Sequence, residues 1–333
     1  MKYGTIPGVS KPVSRIVFGT SLAVMNPMPF GFPMPEEFAQ KMKGDPMELL
    51  DAVYAAGINT FDAAAFYGEE TLGKWVESRG LRDQVVILTK GCSTNDYRDR
   101  VTTYDLLSDI HDSFVKLKTD YIDIYLLHRD APDADIPAIM ELLGKLHREG
   151  HIGAIGVSNW HHSRIDLANQ YAAEHGLPEF VVDSPSFGLA ACMGDPFKTS
   201  ITFAGPEQAD ARKWAVDKNM AVFSYSSLGR GFFSGKYKAS DVNRLGELKD
   251  LCIAEYGFPI NFEKLGRAEE LAKEKGVTMT QIAFAWLLQQ PMNLFAITSP
   301  SSKAHLDELI RAQDIELTPQ ELLWLNVESD TRV

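Results

Sequence analysis

Four side chains in the first part of the chain stand out, because each is a titratable group that ends an apolar run or follows one closely. Asp62 closes Ile58-Asn59-Thr60-Phe61, Lys90 closes Val86-Ile87-Leu88-Thr89, and His128 closes Ile124-Tyr125-Leu126-Leu127. Tyr67 lies in the loop just beyond Asp62. A carboxylate, a phenol, an ammonium and an imidazole are groups from which acid–base chemistry is assembled. A single charge at the end of a strand is usually a cap or half of a structural ion pair. That account weakens when four such groups fall on consecutive strands whose ends converge. The elements that would carry them therefore decide the question.

Short apolar runs predict eight strands, at residues 15–19, 58–62, 85–90, 121–128, 152–157, 180–183, 221–225 and 294–298. Most are continuous rather than alternating, as expected for parallel strands covered on both faces. Helical spacing predicts helices at 45–56, 103–117, 136–148, 163–175, 207–218, 261–275, 280–290 and 303–313, and a last one at 319–327. Asp45-Pro46 is a sound N-cap and first-turn pair, and Gly57, Gly150, Gly176 and Gly276 stand where helices should stop. The βα alternation leaves a closed barrel or a doubly wound open sheet. The open sheet should show Gly-x-Gly-x-x-Gly after an early strand, but here the chain reads Thr20-Ser21-Leu22-Ala23. The expectation is an α/β fold, a (β/α)8 TIM barrel occupying residues 1–333 as one domain. It should carry long loops after strands one, six and seven and a C-terminal helix. Residues 23–44 and 188–206 interrupt the rhythm after strands, at the face where barrel enzymes keep their sites. Their apolar and aromatic content, Phe30 and Phe32 included, suits the walls of a substrate pocket.

Composition narrows the function classes. A net charge of −12 and a pI near 5.2 argue against nucleic acid, which needs a concentrated positive surface. Cys92, Cys192 and Cys252 are widely spaced without a CxxC pair, so neither a disulfide framework nor a zinc site is expected. His147 and His151, and the adjacent His161 and His162, lack a carboxylate or thiol at metal spacing, so no metal is expected. No apolar leader and no stretch approaching a membrane span is readable, so the expected placement is cytoplasmic, without membrane partners. A monomer or small homo-oligomer fits.

Five segments, in order, resemble the aldo-keto reductase family. They are Ile58-Asn59-Thr60-Phe61-Asp62-Ala63-Ala64-Ala65-Phe66-Tyr67-Gly68, Thr89-Lys90, the run from Tyr121 to His128, Gly156-Val157-Ser158-Asn159-Trp160, and Tyr225-Ser226-Ser227-Leu228-Gly229-Arg230-Gly231. The matches run from about residue 14 to 325, and the stretch from Gly229 to Lys236 is similar to a bacterial branch of that family. The resemblance implies reduction of an aldehyde or ketone with NAD(P)H, or the reverse. Tyr67 would be the general acid, with Lys90 lowering its pKa. Asp62 would hold Lys90 charged, and His128 would bond the carbonyl oxygen. For the cofactor it implies Ser158, Asn159 and Ser184 near the carboxamide, Tyr225 against the ring, and Gly19 and Thr20, with Asp62, near the nicotinamide ribose. Ser226, Ser227, Leu228, Gly229, Gly231 and Lys236 would surround the pyrophosphate. Thr298, Ser299, Ser302, His305 and Glu308 would lie toward the adenosine end. Trp160 would line the substrate pocket with Tyr67 and His128.

The chain departs from the family pattern in places. Ser184 stands where many relatives carry Gln, Ser227 where many carry Pro, and Leu309 where NADP-preferring relatives carry Asn. NADP(H) is favoured by the resemblance and NAD(H) stays open. A sugar or polyol dehydrogenase on the same site, or an NADP(H)-binding sensor with little turnover, are the alternative readings.

Overall fold

A computed structural model describes residues 1–21, 45–194 and 199–332. The strands are β1 (Tyr3–Gly4), β2 (Val13–Ser14), β3 (Ile16–Gly19), β4 (Thr60–Asp62), β5 (Val86–Gly91), β6 (Ile122–Leu127), β7 (Ile152–Ser158), β8 (Phe180–Ser184), β9 (Ala221–Ser224) and β10 (Asn293–Thr298). From β3 to β10 they close into a barrel in chain order, with β10 beside β3. Each of the eight predicted strands is present within a few residues of its expected bounds, and the fold is the expected (β/α)8 barrel. β1 and β2 form a small antiparallel pair that the apolar pattern did not suggest.

The helices are α1 (Pro46–Ala55), α2 (Glu69–Arg79), α3 (Thr103–Leu117), α4 (Ile136–Arg148), α5 (His162–His175), α6 (Ala209–Asp217), α7 (Leu251–Tyr256), α8 (Pro259–Lys275), α9 (Met279–Leu288), α10 (Lys303–Arg311) and α11 (Pro319–Leu325). Among them α2 and α7 were not expected. No helix among the described residues is long and apolar enough to cross a membrane. The expected pocket residues Phe30 and Phe32 lie outside the described residues.

The chain forms two compact units, Met1–Ser184 with Ser299–Lys303, and Pro185–Thr298 with Ala304–Val333. In the first, every residue of β5 and β6 is buried, which is why their sequences are largely apolar ahead of Lys90 and His128. The parallel register sets Asp62 beside Leu88 and Lys90 beside Leu126, so adjacent strand ends deliver their polar residues at similar heights. At the opposite end, the buried Asp123 carboxylate accepts from the Ile87 amide at 2.9 Å and pairs with Arg82 at 2.9 Å and Lys11 at 2.7 Å. That charge is satisfied and far along the strand from Lys90 and His128, so it belongs to the barrel's stability. Helices α2 and α3 approach closely at Gly73. A Cβ there would run into the Lys116 carbonyl and lie 2.7 Å from the Leu117 backbone.

In the second unit, Phe223 of β9 stacks on Phe295 of β10 with ring centroids 4.8 Å apart. Lys264 of α8 is completely buried, donating to the Leu189 carbonyl at 3.0 Å and to Asn326 Oδ1 at 2.7 Å. Burial brings its ammonium down to about 8. It thereby ties α8 to the segment after β8 and to the C-terminal stretch.

Candidate active site

The turn after β4 continues the sheet before it leaves it. The Ala63 amide donates to the Leu88 carbonyl at 2.8 Å and the Ala65 amide to the Lys90 carbonyl at 2.9 Å, so residues 63–65 run along β5. Ala64 and Tyr67 then exchange backbone hydrogen bonds at 3.1 and 2.9 Å, closing a tight turn. Gly68 follows at φ 76° and starts α2 without a side-chain cap. A side chain there would be strained and would strike the Thr20 hydroxyl, so glycine lets the chain turn tightly enough to bring Tyr67 back over Lys90.

The three groups meet as the strand ends suggested. Lys90 Nζ donates to Asp62 Oδ1, to the Ala63 carbonyl at 2.9 Å and to Tyr67 Oη at 2.8 Å. Its three protons are therefore all engaged. Tyr67 Oη in turn donates to Asp62 Oδ2 at 3.3 Å. His128 stands just past β6, its amide bonded to the Gly91 carbonyl at 2.8 Å, with its ring centroid 6.3 Å from that of Tyr67. Its Nδ1 is buried without a hydrogen-bond partner among the described residues.

Burial dominates the electrostatics. It raises the Asp62 carboxyl and lowers the Lys90 ammonium, and each partner's charge opposes the shift of the other. Burial also pulls the His128 imidazole well below its usual value, and the Lys90 and Arg129 charges add to that, so the ring is neutral at neutral pH. The Tyr67 phenol is pushed well above its usual value, first by burial, then by the charges of Asp62 and Glu69, with Arg129 opposing. The expected lowering of the Tyr67 pKa by Lys90 is therefore not the net result. Desolvation and a carboxylate that accepts the phenolic proton outweigh it. At neutral pH a neutral phenol and a neutral imidazole thus flank the buried Asp62–Lys90 contact.

The remaining expected residues fall into separate sets. In the first unit, Ser158 Oγ donates to the Ser184 carbonyl at 2.8 Å, and Asn159, at φ 60°, donates to Ser158 Oγ at 2.9 Å and to the His128 carbonyl at 3.4 Å. Thr20 Oγ1 donates to the Asp62 carbonyl at 2.8 Å, and Ser299 Oγ to the Gly19 carbonyl at 2.7 Å. Ser302 and Lys303 are exposed. Trp160 is only 1% exposed, edge-on to Phe180 and under the Arg164 guanidinium, with its indole N–H on the Arg129 carbonyl at 3.0 Å. It supports the backbone next to His128 from within.

In the second unit, the backbone from Tyr225 to Gly231 holds positive φ at Ser226, Gly229, Arg230 and Gly231. Ser227 Oγ donates to the Ser224 carbonyl at 3.0 Å. Leu228 and Gly229 lead into a short 3-10 turn whose Arg230 pairs with Glu255 at 2.6 Å, and Lys236 pairs with Asp250 at 2.8 Å. Thr298 Oγ1 is buried without a hydrogen-bond partner among the described residues, and Glu308 accepts from Thr278 Oγ1 at 2.5 Å. His305 lies on α10 one turn before the fully buried Leu309.

Two residues near Tyr67 were not singled out from the sequence. Phe66 is 46% exposed, stacked on the His128 ring at 5.2 Å and 11° and edge-on to Tyr67 at 5.1 Å. Glu69 is buried beneath the same turn, its Oε1 accepting from Thr89 Oγ1 at 2.6 Å. Their positions next to Tyr67 were the available signal. Cys92 is buried and its thiol is raised far above its usual value by burial, which leaves it unreactive. Among the described residues no group of three His, Cys, Asp or Glu side chains is arranged to hold a metal ion.

Comparison with known proteins gives a consistent picture. The sequence profile described as Aldo/keto reductase family matches residues 15–325. A putative aryl-alcohol dehydrogenase of Saccharomyces cerevisiae is 30% identical over 304 residues, covering 85% of this chain and 76% of that protein. An aryl-alcohol dehydrogenase [NADP(+)] of Phanerodontia chrysosporium is 29% identical, covering 96% of this chain and 83% of its own. Norsolorinic acid reductase B of Dothistroma septosporum is 26% identical, with 95% and 78% covered.

Proposed function

This chain belongs to the aldo/keto reductase family, the NAD(P)-dependent oxidoreductases of carbonyl and alcohol groups, and from that premise we propose that it reduces an aryl aldehyde or ketone with Tyr67 as the proton donor. The observation that carries this reading is the single ammonium of Lys90 bonded at once to Asp62 and to Tyr67 Oη.

The substrate oxygen takes hydrogen bonds from Tyr67 Oη and His128 Nε2. Both groups are neutral donors at neutral pH, so neither has to lose a charge to bind a carbonyl. As negative charge gathers on that oxygen, the Tyr67 proton moves to it. An alkoxide is a far stronger base than a phenolate, so a phenol held above its ordinary pKa still serves as the acid. The phenolate that remains lies 2.8 Å from Lys90, whose charge Asp62 sustains. The raised pKa leaves little phenolate at neutral pH, so the reverse reaction, which needs Tyr67 as the base, would gain from a higher pH.

A nicotinamide cofactor supplies the hydride to the carbonyl carbon when bound. Ser158 and Asn159 fit its carboxamide, because a hydroxyl and an amide sit side by side at the mouth of β7, linked to the His128 backbone, whereas Ser184 is too short for the contact a Gln makes there in relatives. We assign NADP(H), supported by the relative whose name carries NADP(+). Phe66 supports an aryl substituent, since its half-exposed ring lies against both Tyr67 and His128.

Tyr67→Phe is expected to cut kcat by roughly 10²–10⁴-fold, the usual contribution of a general acid, while NADPH binding followed by fluorescence is unchanged. Carbonyl reduction at the unaltered rate by that variant would end the proposal.

A further inference from the structure

We propose that Glu69 is a positioning residue for this reaction, its buried carboxylate bracing the turn that carries Tyr67 against the strand that carries Lys90. The inference rests on the reading of Tyr67 as the proton donor.

The geometry is a brace with two ends. Glu69 is the first residue of α2, two positions after Tyr67, and is 2% exposed. Its Oε1 accepts from the hydroxyl of Thr89, the residue that precedes Lys90 on β5, at 2.6 Å. Its Oε2 lies 3.7 Å from Lys116 Nζ of α3. The same ammonium donates to the Ala65 carbonyl at 2.6 Å, in the middle of the turn between Asp62 and Tyr67. One end of the turn is thus held through Thr89 to β5 and its middle through Lys116 to α3. Tyr67 is suspended between the two anchors. A carboxyl buried this deeply is costly unless it is paired: the Thr89 hydroxyl satisfies Oε1, while Oε2 makes no hydrogen bond among the described residues and has only the Lys116 charge nearby. The Ala63 and Ala65 amides tie the start of the turn to β5, and Glu69 adds a hold on the far side of Tyr67, through Thr89 of the same strand.

The carboxylate also acts through its charge. The ionisable groups that face it are Lys116 and Asp109 of α3, Lys90 of β5, Tyr125 of β6 and Tyr67 itself. Those facing Tyr67 are Asp62, Glu69, Lys90 and Arg129, with His128 alongside. Burial pushes the Glu69 carboxyl up, while Ser113, Thr89 and Lys116 favour its ionised form. Ionised, it holds Tyr67 as a phenol and Lys90 as an ammonium. Removing that charge makes both groups lose their protons at lower pH.

Two variants separate the charge from the tether. Glu69→Gln keeps an acceptor for Thr89 but removes the charge, and Thr89→Val removes the tether but keeps the charge. Carbonyl reduction is measured against pH at saturating NADPH, with NADPH affinity by fluorescence. Glu69→Gln is expected to move the alkaline limb of kcat to lower pH. Thr89→Val is expected to lower kcat roughly tenfold, as displacement of a catalytic group does, with the limb unmoved and NADPH affinity intact. Should Glu69→Gln not fold, the kcat of Thr89→Val decides alone. Native kcat and an unmoved limb in the variants that fold overturn the brace, and so do losses that only follow cofactor affinity. Tyr67→Phe is run beside them. If it is inactive while the two variants behave as wild type, only the brace fails; if it stays active, the underlying reading fails as well.

Discussion

The ring of Phe66 and the phenol of Tyr67 leave the same tight turn, so the proposed contact for the substrate's substituent is adjacent to the proposed proton donor. Phe66 lies parallel to His128 and edge-on to Tyr67 while nearly half of it stays exposed. Aromatic pairs of this kind contribute about 0.5–1.5 kcal/mol beyond burial. Phe66→Ala is therefore expected to raise KM for benzaldehyde-like substrates by roughly three- to tenfold and to leave KM for short aliphatic aldehydes within about twofold. Equal effects on both substrate types would remove Phe66 from the specificity argument. The chemistry-bearing side chains themselves were legible in the sequence, because Asp62, Lys90 and His128 each break an apolar run at its end. Phe66 and Glu69 were not, since one becomes exposed and the other buried only through the Ala64–Tyr67 turn and the left-handed Gly68. Trp160 was expected in the pocket wall from the family resemblance and from its place after a strand; it is 1% exposed, with its indole N–H on the Arg129 carbonyl and Arg164 over its ring.

Helix α2 connects the turn to the rest of the barrel, and its closest neighbour is α3. Gly73 is the contact that permits this, with the Lys116 carbonyl and the Leu117 backbone occupying the space of a Cβ. Because the obstructing atoms are backbone, Gly73→Ala is expected to destabilise the fold by about 1–3 kcal/mol. That is read as a lower midpoint in urea unfolding. An unchanged midpoint would mean that the two helices can separate without cost. Displacing α3 also shifts Lys116, so activity should fall in the fraction that remains folded. The sequence disclosed α3 and α4 to the residue, since their buried positions recur at helical spacing after an Asp or Thr cap. It did not disclose α2, whose first residue follows a glycine without a side-chain cap. Nor did it disclose α7, which is only six residues long.

At the scale of the molecule, one buried acid links stability to pH. Asp183 on β8 is 1% exposed, opposite Val157 of β7, and burial raises its carboxyl from 3.8 to about 8. A raised folded-state value means that the native form holds a proton which the unfolded chain has released. This contribution is therefore present at acid pH and is lost as pH rises from about 4 to about 8. Asp183→Asn is expected to flatten that fall, giving a higher Tm than the native chain at pH near ~8 and a smaller difference near ~5. Parallel Tm profiles for the two proteins would show that Asp183 does not titrate in this range. The barrel as a whole was readable because parallel strands must be apolar on both faces. The backbone from Tyr225 to Gly231 was not, since Ser226 and Arg230 take positive φ that their residue types do not announce. The location of Asp62, Tyr67, Lys90 and His128 has a hereditary consequence. They occupy one stretch of chain, in or just after three consecutive strands and well before Tyr225, Lys236 and His305. Recombination with a crossover anywhere after His128 would pass the proposed acid–base group to a descendant whole, while the segments proposed to meet the cofactor diverged separately.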